Sequence, residues 1–312
     1  MSALFSPIAL GGVTLPNRIV IAPMCQYSAE NGQATDWHTI HLGNLALSGA
    51  GLLIVEATGV EPAGRISPAD LGLWNDATEA ALVPVLKAVR AYSRTPIVFQ
   101  LAHAGRKAST ALPWDGGKQL SLAEGGWETF APSAIPHADD ERAPVALDAA
   151  GMARIKTAFA EAAKRTVRLG AEGVEVHGAH GYLLHEFLSP IANKRTDEYG
   201  GAFENRARFP LEVFDAVRAA LPAGKILGYR ISATDWVDGG LALDDVIAFA
   251  KELKKRGADY IHVSSGGISP HQDIPVKPNY QVHLAEAVKA ATGLPTIAVG
   301  LITDPHQAEE IL

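Results

Sequence analysis

The sequence predicts a (β/α)8 barrel, a fold in which parallel strands alternate with helices. Strand-like apolar runs recur along the whole chain, and segments with helical periodicity lie between them. Polar residues also follow nearly every strand, as expected when one end of a barrel carries the chemistry. A doubly wound sheet is the alternative. No Gly-x-Gly-x-x-Gly follows the first strand, however, which weakens the dinucleotide-binding form of that fold.

Seven strands are predicted from short runs of β-branched and other apolar residues. In chain order they are Ile19–Ala22, Leu52–Val55, Ile97–Gln100, Val174–Val176, Ile226–Arg230, Tyr260–Val263 and Thr296–Val299. Apolar residues at three- and four-residue spacing predict helices that include Met152–Leu169, Phe203–Leu221 and Leu243–Arg256. A glycine separates helix from strand at Gly49, Gly170 and Gly257, where it would close the helix in a left-handed conformation.

Two stretches depart from this alternation. Residues 105–146 contain tryptophans, prolines and glycines with little periodicity, so they are expected to form an excursion after the third strand, over the barrel mouth. The sequence stops at Leu312, within the helix after the seventh strand, so the eighth βα unit is expected to be missing. Residues 1–312 are expected to form a single domain.

Composition excludes several classes of protein. A net charge of −7 argues against a broad nucleic-acid surface or a polybasic membrane patch. Cys25 is the only cysteine, so one chain cannot build a disulfide framework or a cysteine-ligated cluster. The start of the chain lacks the features of a signal peptide, and the apolar stretch Leu42–Val55 is too short to span a bilayer. A cytoplasmic protein is therefore expected.

The segment Gly173–Tyr182 is the strongest candidate for a functional site. A short strand ends in two histidines and a tyrosine, His177, His180 and Tyr182, separated by glycine and alanine. Small residues let the backbone turn sharply and keep bulk away from whatever the rings face. A structural role and a zinc site are the alternatives. Zinc needs a third ligand, for which His185 and Glu186 are nearby candidates.

The residues predicted at strand ends contain no Ser-His-Asp arrangement and no carboxylate pair. They supply hydrogen-bond donors, one arginine and two phenols, which suit binding a flat heterocycle and polarising a carbonyl better than hydrolysis. The set is Met24, Cys25, Tyr27, Ala57, Gln100, His177, His180, Tyr182, Arg230 and Gly300.

Six spaced motifs resemble the Old Yellow Enzyme family of flavin-dependent ene-reductases. They are most similar to its thermophilic-like branch, which includes xenobiotic reductases. The motifs run in the family's order from the first strand to the last residues, so the resemblance covers nearly the whole chain. They are Pro23–Tyr27, Gln100–Lys107, His177–Tyr182, Asn193–Gly201, Asn205–Arg206 and Val299–Asp304.

The resemblance implies an FMN-containing oxidoreductase that takes hydride from NADPH or NADH. The hydride would pass from flavin N5 to the β-carbon of an enone or enal, with nitro compounds as further substrates. His177 and His180 would donate hydrogen bonds to the substrate carbonyl. Tyr182 would protonate the α-carbon, because a phenol with a pKa near 10 keeps its proton at neutral pH. Tyr27 would help to hold the substrate.

The resemblance also implies a set of flavin contacts. Arg230 would lie beside the N1–C2=O edge, where negative charge accumulates on reduction. The remaining contacts would come from Pro23, Met24, Cys25, Ala57, Gln100 and, at the phosphate, Gly300. Arg106 and Lys107 have two interpretations, as a site for the nicotinamide cofactor's phosphates or as solvated loop charges.

Two rival functions stay open. The Gly-Arg pair that grips the FMN phosphate after strand eight in the family has no counterpart here, and neither does its arginine near the C-terminus. The chain could then be a truncated, catalytically impaired barrel that binds ligands without retaining FMN. The other rival is a metal-dependent hydrolase or lyase that uses His177 and His180, although the resemblance leaves no role for a metal. Small-molecule partners and a homo-oligomer, either a dimer or a tetramer, are also implied.

Overall fold

The computed structural model describes residues 2–312 and shows an α/β protein. In chain order the strands are β1 (Ile8–Leu10), β2 (Val13–Leu15), β3 (Val20–Ile21), β4 (Leu52–Gly59), β5 (Ile97–Ala102), β6 (Phe130–Ala131), β7 (Val145–Ala146), β8 (Gly173–Gly178), β9 (Ile226–Ser232), β10 (Tyr260–Ser264) and β11 (Thr296–Ala298). The helices are α1 (Asp36–Ala46), α2 (Asp76–Tyr92), α3 (Ala149–Arg168), α4 (Leu183–Leu188), α5 (Phe203–Ala220), α6 (Leu243–Lys255), α7 (Val282–Thr292) and α8 (Pro305–Glu310).

Seven parallel strands form one sheet that is a nearly closed barrel. Their spatial order is β3-β4-β5-β8-β9-β10-β11, which is also their order along the chain. Each of the seven predicted strands overlaps one of these. The predicted helices 152–169, 203–221 and 243–256 correspond to α3, α5 and α6 within a few residues. The antiparallel hairpin β1–β2 was not predicted.

Alternate residues of each barrel strand face opposite sides of the sheet. In β4, Leu53 and Val55 pack outward against the apolar faces of the helices, whereas Leu52 and Ile54 point into the barrel. At one end the interior is filled by the β1–β2 hairpin, whose Leu15 is fully buried. This leaves the other end, where the strands finish, free for polar side chains.

Local chemistry sets the ends of the helices. The side chain of Asp148 caps α3 by accepting a hydrogen bond from the backbone of Gly151 at 2.7 Å. Helices α1, α3 and α6 are followed by Gly49, Gly170 and Gly257, all with φ near +80°. The predicted left-handed glycine closures are therefore present.

Residues 105–146 are folded through short elements rather than long ones. They contain the 3-10 turns Gly105–Lys107, Pro113–Asp115 and Leu122–Glu124, and β6 pairs in parallel with β7 at the end of the segment. The guanidinium of Arg106 holds part of the segment by donating to the carbonyls of Ile135 and Pro136. Among the residues described, no helix combines the length and the apolar character needed to cross a membrane.

Candidate active site

Neighbouring strands bring His177, Arg230 and His262 side by side at the open end of the barrel. The register pairs His177 of β8 with Arg230 of β9, and Arg230 with His262 of β10. Two residues earlier along β8, the same pairing places Glu175 beside Gln100 of β5. Because inward-facing residues alternate along a strand, these side chains form two layers inside the barrel.

Glu175 is the centre of the lower layer. Its carboxylate accepts hydrogen bonds from Gln100 Nε2 at 2.7 Å, from the Tyr260 hydroxyl at 3.0 Å and from His262 Nδ1 at 2.9 Å. Burial raises the pKa of Glu175, but His262, the positive charge of Arg230 and the bond from Gln100 outweigh it, so the pKa is lowered. A buried, ionised carboxylate thus lies under the upper layer.

Arg230 in the upper layer lacks acceptors within the protein. The residue is 9% exposed, and its guanidinium nitrogens donate to no group among residues 2–312; Nε is fully buried. A buried guanidinium without acceptors is costly unless a ligand supplies them. Its position therefore fits a ligand that presents hydrogen-bond acceptors or negative charge at the barrel mouth.

His177, His180 and Tyr182 come together beside Arg230. The ring centroids of His177 and His180 are 5.1 Å apart, those of His177 and Tyr182 are 5.0 Å apart, and both pairs meet edge to face. Burial, and then the charge of Arg230, lower the pKa of both histidines well below 6.5, so both rings are neutral. Burial raises the pKa of the Tyr182 phenol, which keeps its proton.

The backbone of His180 has a left-handed conformation, with φ at +60°. Its N–H donates to Ser232 Oγ at 2.9 Å, and its carbonyl accepts from Lys107 Nζ at 2.8 Å. Lys107 also donates to the carbonyl of Gly267 at 2.9 Å. Such strain persists only where surrounding contacts enforce it, and it is common at functional sites.

Arg106 and Lys107 are therefore not solvated loop charges. Arg106 is buried and donates to three backbone carbonyls, one of them that of Ile268 at 2.7 Å. Burial lowers the pKa of Lys107 to about 8. The ammonium also lies 5.3 Å from the centre of the Tyr182 ring. Both residues hold the site together, and neither extends as a free cation toward a phosphate.

A cavity of about 270 Å³ lies beside the phenol of Tyr182. Its wall includes Tyr27 and Lys107, together with Thr110, His137 and Glu141 from residues 105–146. Burial lowers the pKa of His137 to about 4, so this ring too is neutral. A small molecule in this cavity would contact Tyr182.

The other predicted residues are more scattered. Burial, and then the carboxylates of Asp70 and Glu56, raise the pKa of the Cys25 thiol, which therefore stays protonated. Pro23 and Ala57 are buried, whereas Met24 is 57% exposed. Gly300 follows β11 and makes a backbone hydrogen bond with Asn279.

The ligands considered for a metal are engaged elsewhere. His185 contacts the carboxylate of Asp235 at 2.8 Å, and Glu186 accepts from the backbone of Arg106 at 2.8 Å. Within residues 2–312 no group of three or more His, Cys, Asp or Glu side chains is arranged to hold a metal ion. The metal-dependent alternative thus loses its nearby ligands.

Sequence reasoning missed Glu175, His262 and Ser264. Each lies on a predicted strand or directly after one, and each is buried and polar. Inward-facing polar residues on barrel strands were the available signal, since a buried polar side chain needs a partner.

Comparisons with known proteins agree with this geometry. The sequence model of the NADH:flavin oxidoreductase / NADH oxidase family matches residues 3–312. An NADPH dehydrogenase of Geobacillus sp. (strain WCH70) is 45% identical over 311 residues, which cover 99% of this chain and 86% of that protein. The NADPH dehydrogenase of Bacillus licheniformis is 45% identical over 99% of this chain and 86% of its own length.

Solved structures show the same barrel. Morphinone reductase superposes with a TM-score of 0.81 and 31% identity, over 99% of this chain and 82% of its own. The Old Yellow Enzyme homologue from Zymomonas mobilis gives a TM-score of 0.79 and 27% identity, over 96% of this chain and 83% of its own. The resemblance to Old Yellow Enzymes is confirmed.

Fold, site and relatives together define a flavin-dependent oxidoreductase built on a parallel α/β barrel. The chain belongs to the NADH:flavin oxidoreductase / NADH oxidase family, with FMN as cofactor and NAD(P)H as hydride donor. The unpartnered guanidinium of Arg230 fits this cofactor, because the flavin ring presents acceptor atoms along its pyrimidine edge.

Proposed function

We propose that the protein is an ene-reductase that reduces the C=C bond of α,β-unsaturated carbonyl compounds. The observation that carries the proposal is the meeting of two neutral histidines and a protonated tyrosine beside the unpartnered Arg230. Neutral imidazoles donate hydrogen bonds without adding a proton to the substrate oxygen. Such donors stabilise the enolate-like charge that develops on a carbonyl oxygen during reduction.

FMN, when bound, accepts hydride from NAD(P)H and returns it to a carbon acceptor. We assign Arg230 and Gln100 to its pyrimidine edge. Gln100 donates one N–H of Nε2 to Glu175, so its second N–H and its carbonyl oxygen are left for the ring. The residues assigned to packing and phosphate contacts are Pro23, Met24, Cys25, Ala57 and Gly300.

Tyr182 is the proposed proton donor, and Tyr27 the residue that helps to hold the substrate. Burial raises the pKa of both phenols above 10, which suits an acid that must stay protonated until the carbon acceptor becomes basic. Residues 105–146 form the proposed cover of the barrel mouth, because several of them line the cavity next to Tyr182.

Spectroscopy tests the proposal in two steps. The purified chain should show a flavin absorbance spectrum, as isolated or after FMN is added. The spectrum should bleach anaerobically with NADPH and recover on addition of 2-cyclohexen-1-one. Tyr182→Phe should slow the recovery by roughly a hundredfold or more while leaving the bleaching within a few-fold, since general acid catalysis contributes at least that much.

Tyr92→Phe is the matched control, because this tyrosine lies at the end of α2 and is 83% exposed. It should behave as the wild type in both steps. A protein that takes up no FMN, or that recovers equally fast with and without the Tyr182 hydroxyl, would contradict the proposal.

A further inference from the structure

His177 and His180 leave different ring nitrogens for a ligand. Nδ1 of His177 accepts a hydrogen bond from the backbone N–H of Ala179 at 3.3 Å, so the single proton of this neutral ring lies on Nε2. In His180 it is Nε2 that is engaged, 2.8 Å from Ser264 Oγ, and Nδ1 makes no hydrogen bond within residues 2–312. His180 can donate to a ligand only if its proton lies on Nδ1.

The hydroxyl of Ser264 has two acceptors within reach. One is Nε2 of His180 at 2.8 Å, and the other is Oε1 of Gln281 at 3.4 Å. The second distance exceeds the range of roughly 2.5–3.0 Å for O–H···O hydrogen bonds. Oε1 of Gln281 also accepts from Ser265 Oγ at 2.6 Å. The geometry therefore directs the Ser264 proton to His180.

We propose that Ser264 is a positioning residue that sets the tautomer of His180. Its hydroxyl donates to Nε2, which keeps the ring proton on Nδ1. His177 and His180 then present two N–H donors, Nε2–H and Nδ1–H, to one ligand oxygen. The identity of that oxygen, a substrate carbonyl, rests on the proposed function. The tautomer follows from the chain's own hydrogen bonds.

The surroundings of His180 hold its ring in this orientation. Its backbone N–H is bonded to Ser232, whose hydroxyl in turn donates to the carbonyl of Gly266 at 2.8 Å. Its carbonyl is bonded to Lys107. With the backbone fixed on both sides, Nε2 of His180 lies 2.8 Å from Ser264 Oγ.

Nuclear magnetic resonance of 15N-histidine-labelled protein tests the tautomer directly, because long-range N–H couplings distinguish Nδ1–H from Nε2–H. His180→Asn identifies the resonances. We expect an Nδ1–H tautomer for His180 in the wild type, a gain of Nε2–H in Ser264→Ala and no change in Ser265→Ala. An Nε2–H tautomer in the wild type would overturn the proposal.

Binding of 4-hydroxybenzaldehyde to the FMN-loaded protein gives a second readout. Ser264→Ala should weaken binding about tenfold, the loss of one hydrogen bond to a charged oxygen, and Ser264→Thr should restore it. In the His180→Asn background the same change should have no effect, because a side-chain amide donates without a choice of tautomer. Equal losses in both backgrounds would mean that Ser264 acts only on folding. If the wild-type protein does not bind 4-hydroxybenzaldehyde, the proposed function is contradicted. The resonance measurement still determines the tautomer of His180 in that case.

Discussion

Arg230 is a buried arginine whose unpartnered guanidinium favours a ligand with hydrogen-bond acceptors or negative charge. Burial lowers the pKa of its guanidinium, and the carboxylate of Glu175 acts in the opposite direction. An arginine keeps its charge under such conditions. The carboxylate of Glu175 thus favours the positive charge of Arg230, whereas the N–H groups of the guanidinium have no acceptor among residues 2–312. In the proposed assignment a flavin ring would supply the acceptors, and its reduced form would add the negative charge that the cation favours.

Arg230→Met should weaken FMN binding by roughly tenfold or more and make the bound flavin harder to reduce. Titration of the apoprotein with FMN, followed by flavin fluorescence, measures the first effect, and a redox titration measures the second. Arg94→Met is the control, because this arginine is exposed and should leave both quantities unchanged. A more positive flavin potential in Arg230→Met would contradict the assigned role.

At the scale of single residues, the sequence could predict only those parts of the site whose residues lie close together along the chain. His177, His180 and Tyr182 lie within six positions, so their chemistry was visible as one motif. Glu175 lies in the same segment, but its partners are 75 to 87 positions away in the sequence. Only the barrel brings them together, and no local pattern marks them.

Among the larger elements, the loop after β10 shapes the site through close packing. Gly267 has φ at +97°, and a methyl group in place of its Cα hydrogen would overlap the backbone of His180. The two backbones approach this closely because Lys107 bonds to the carbonyls of both. The glycine is needed for its size as well as for its conformation.

Gly267→Ala should displace His180 and weaken binding of carbonyl and phenol ligands by about tenfold or more. Gly239→Ala separates size from conformation, because Gly239 also has a positive φ, at +73°, but no atom lies within 4 Å of the added methyl group. Both variants should lose about 1 kcal/mol of stability from backbone strain, and Gly267→Ala should lose more because its methyl group overlaps the backbone of His180. Only Gly267→Ala should lose ligand affinity. Equal affinity in the two variants would show that the contact with His180 is unimportant.

An ion pair connects the ends of two strands to a helix. Glu61 follows β4 and contacts His103, which follows β5, at 3.1 Å, and Arg154 of α3 at 3.1 Å. Burial raises the pKa of Glu61, but its bonds to His103 and Arg154 outweigh this and lower the pKa to about 2. The contribution to stability is therefore present above pH 4.5 and is lost as the pH falls toward 2.

Glu61→Gln should lower the free energy of unfolding by roughly 2 kcal/mol at pH 7, and by less at pH 3, where part of the wild-type stabilisation is already lost. Urea unfolding at the two pH values measures the difference. Glu128→Gln, an exposed position, should show no such dependence. A loss of unfolding free energy in Glu61→Gln that is larger at pH 3 than at pH 7 would contradict the role assigned to Glu61.

The elements were predictable where an apolar run marks them, and this includes β3 and β11, which have only two and three residues. Every barrel strand overlaps a predicted one, because an apolar run between polar turns is visible in the sequence. The pair β6–β7 and the hairpin β1–β2 consist of two- and three-residue strands, too short to show a period. Arg106 holds part of residues 105–146 through the carbonyls of Ile135 and Pro136, and the sequence could not reveal its burial.

At the scale of the whole molecule, one end of the barrel is closed by apolar packing and the other end carries the candidate active site. One end is closed by the hairpin, where Leu10 and Leu15 pack against Ile54, Ile226 and Tyr260. The backbone of Gly12 also bonds to that of Gly224, just before β9. The other end holds the histidines, the tyrosine and Arg230. The hairpin end thus supplies apolar packing where no chemistry is assigned, which is typical of barrel enzymes.

This separation predicts that Leu15→Ala will destabilise the protein by about 2–5 kcal/mol, since it empties a fully buried position. It should not change the affinity of the folded protein for 4-hydroxybenzaldehyde, because Leu15 packs in the apolar cluster at the hairpin end, which meets Glu175 through the hydroxyl of Tyr260 and contains none of the proposed ligand contacts. Urea unfolding and ligand titration at low temperature measure the two quantities on the same sample. Leu122→Ala, at a 63% exposed position, should leave both unchanged. Weaker ligand binding by folded Leu15→Ala protein would mean that the hairpin and the site are coupled through the layer that contains Glu175.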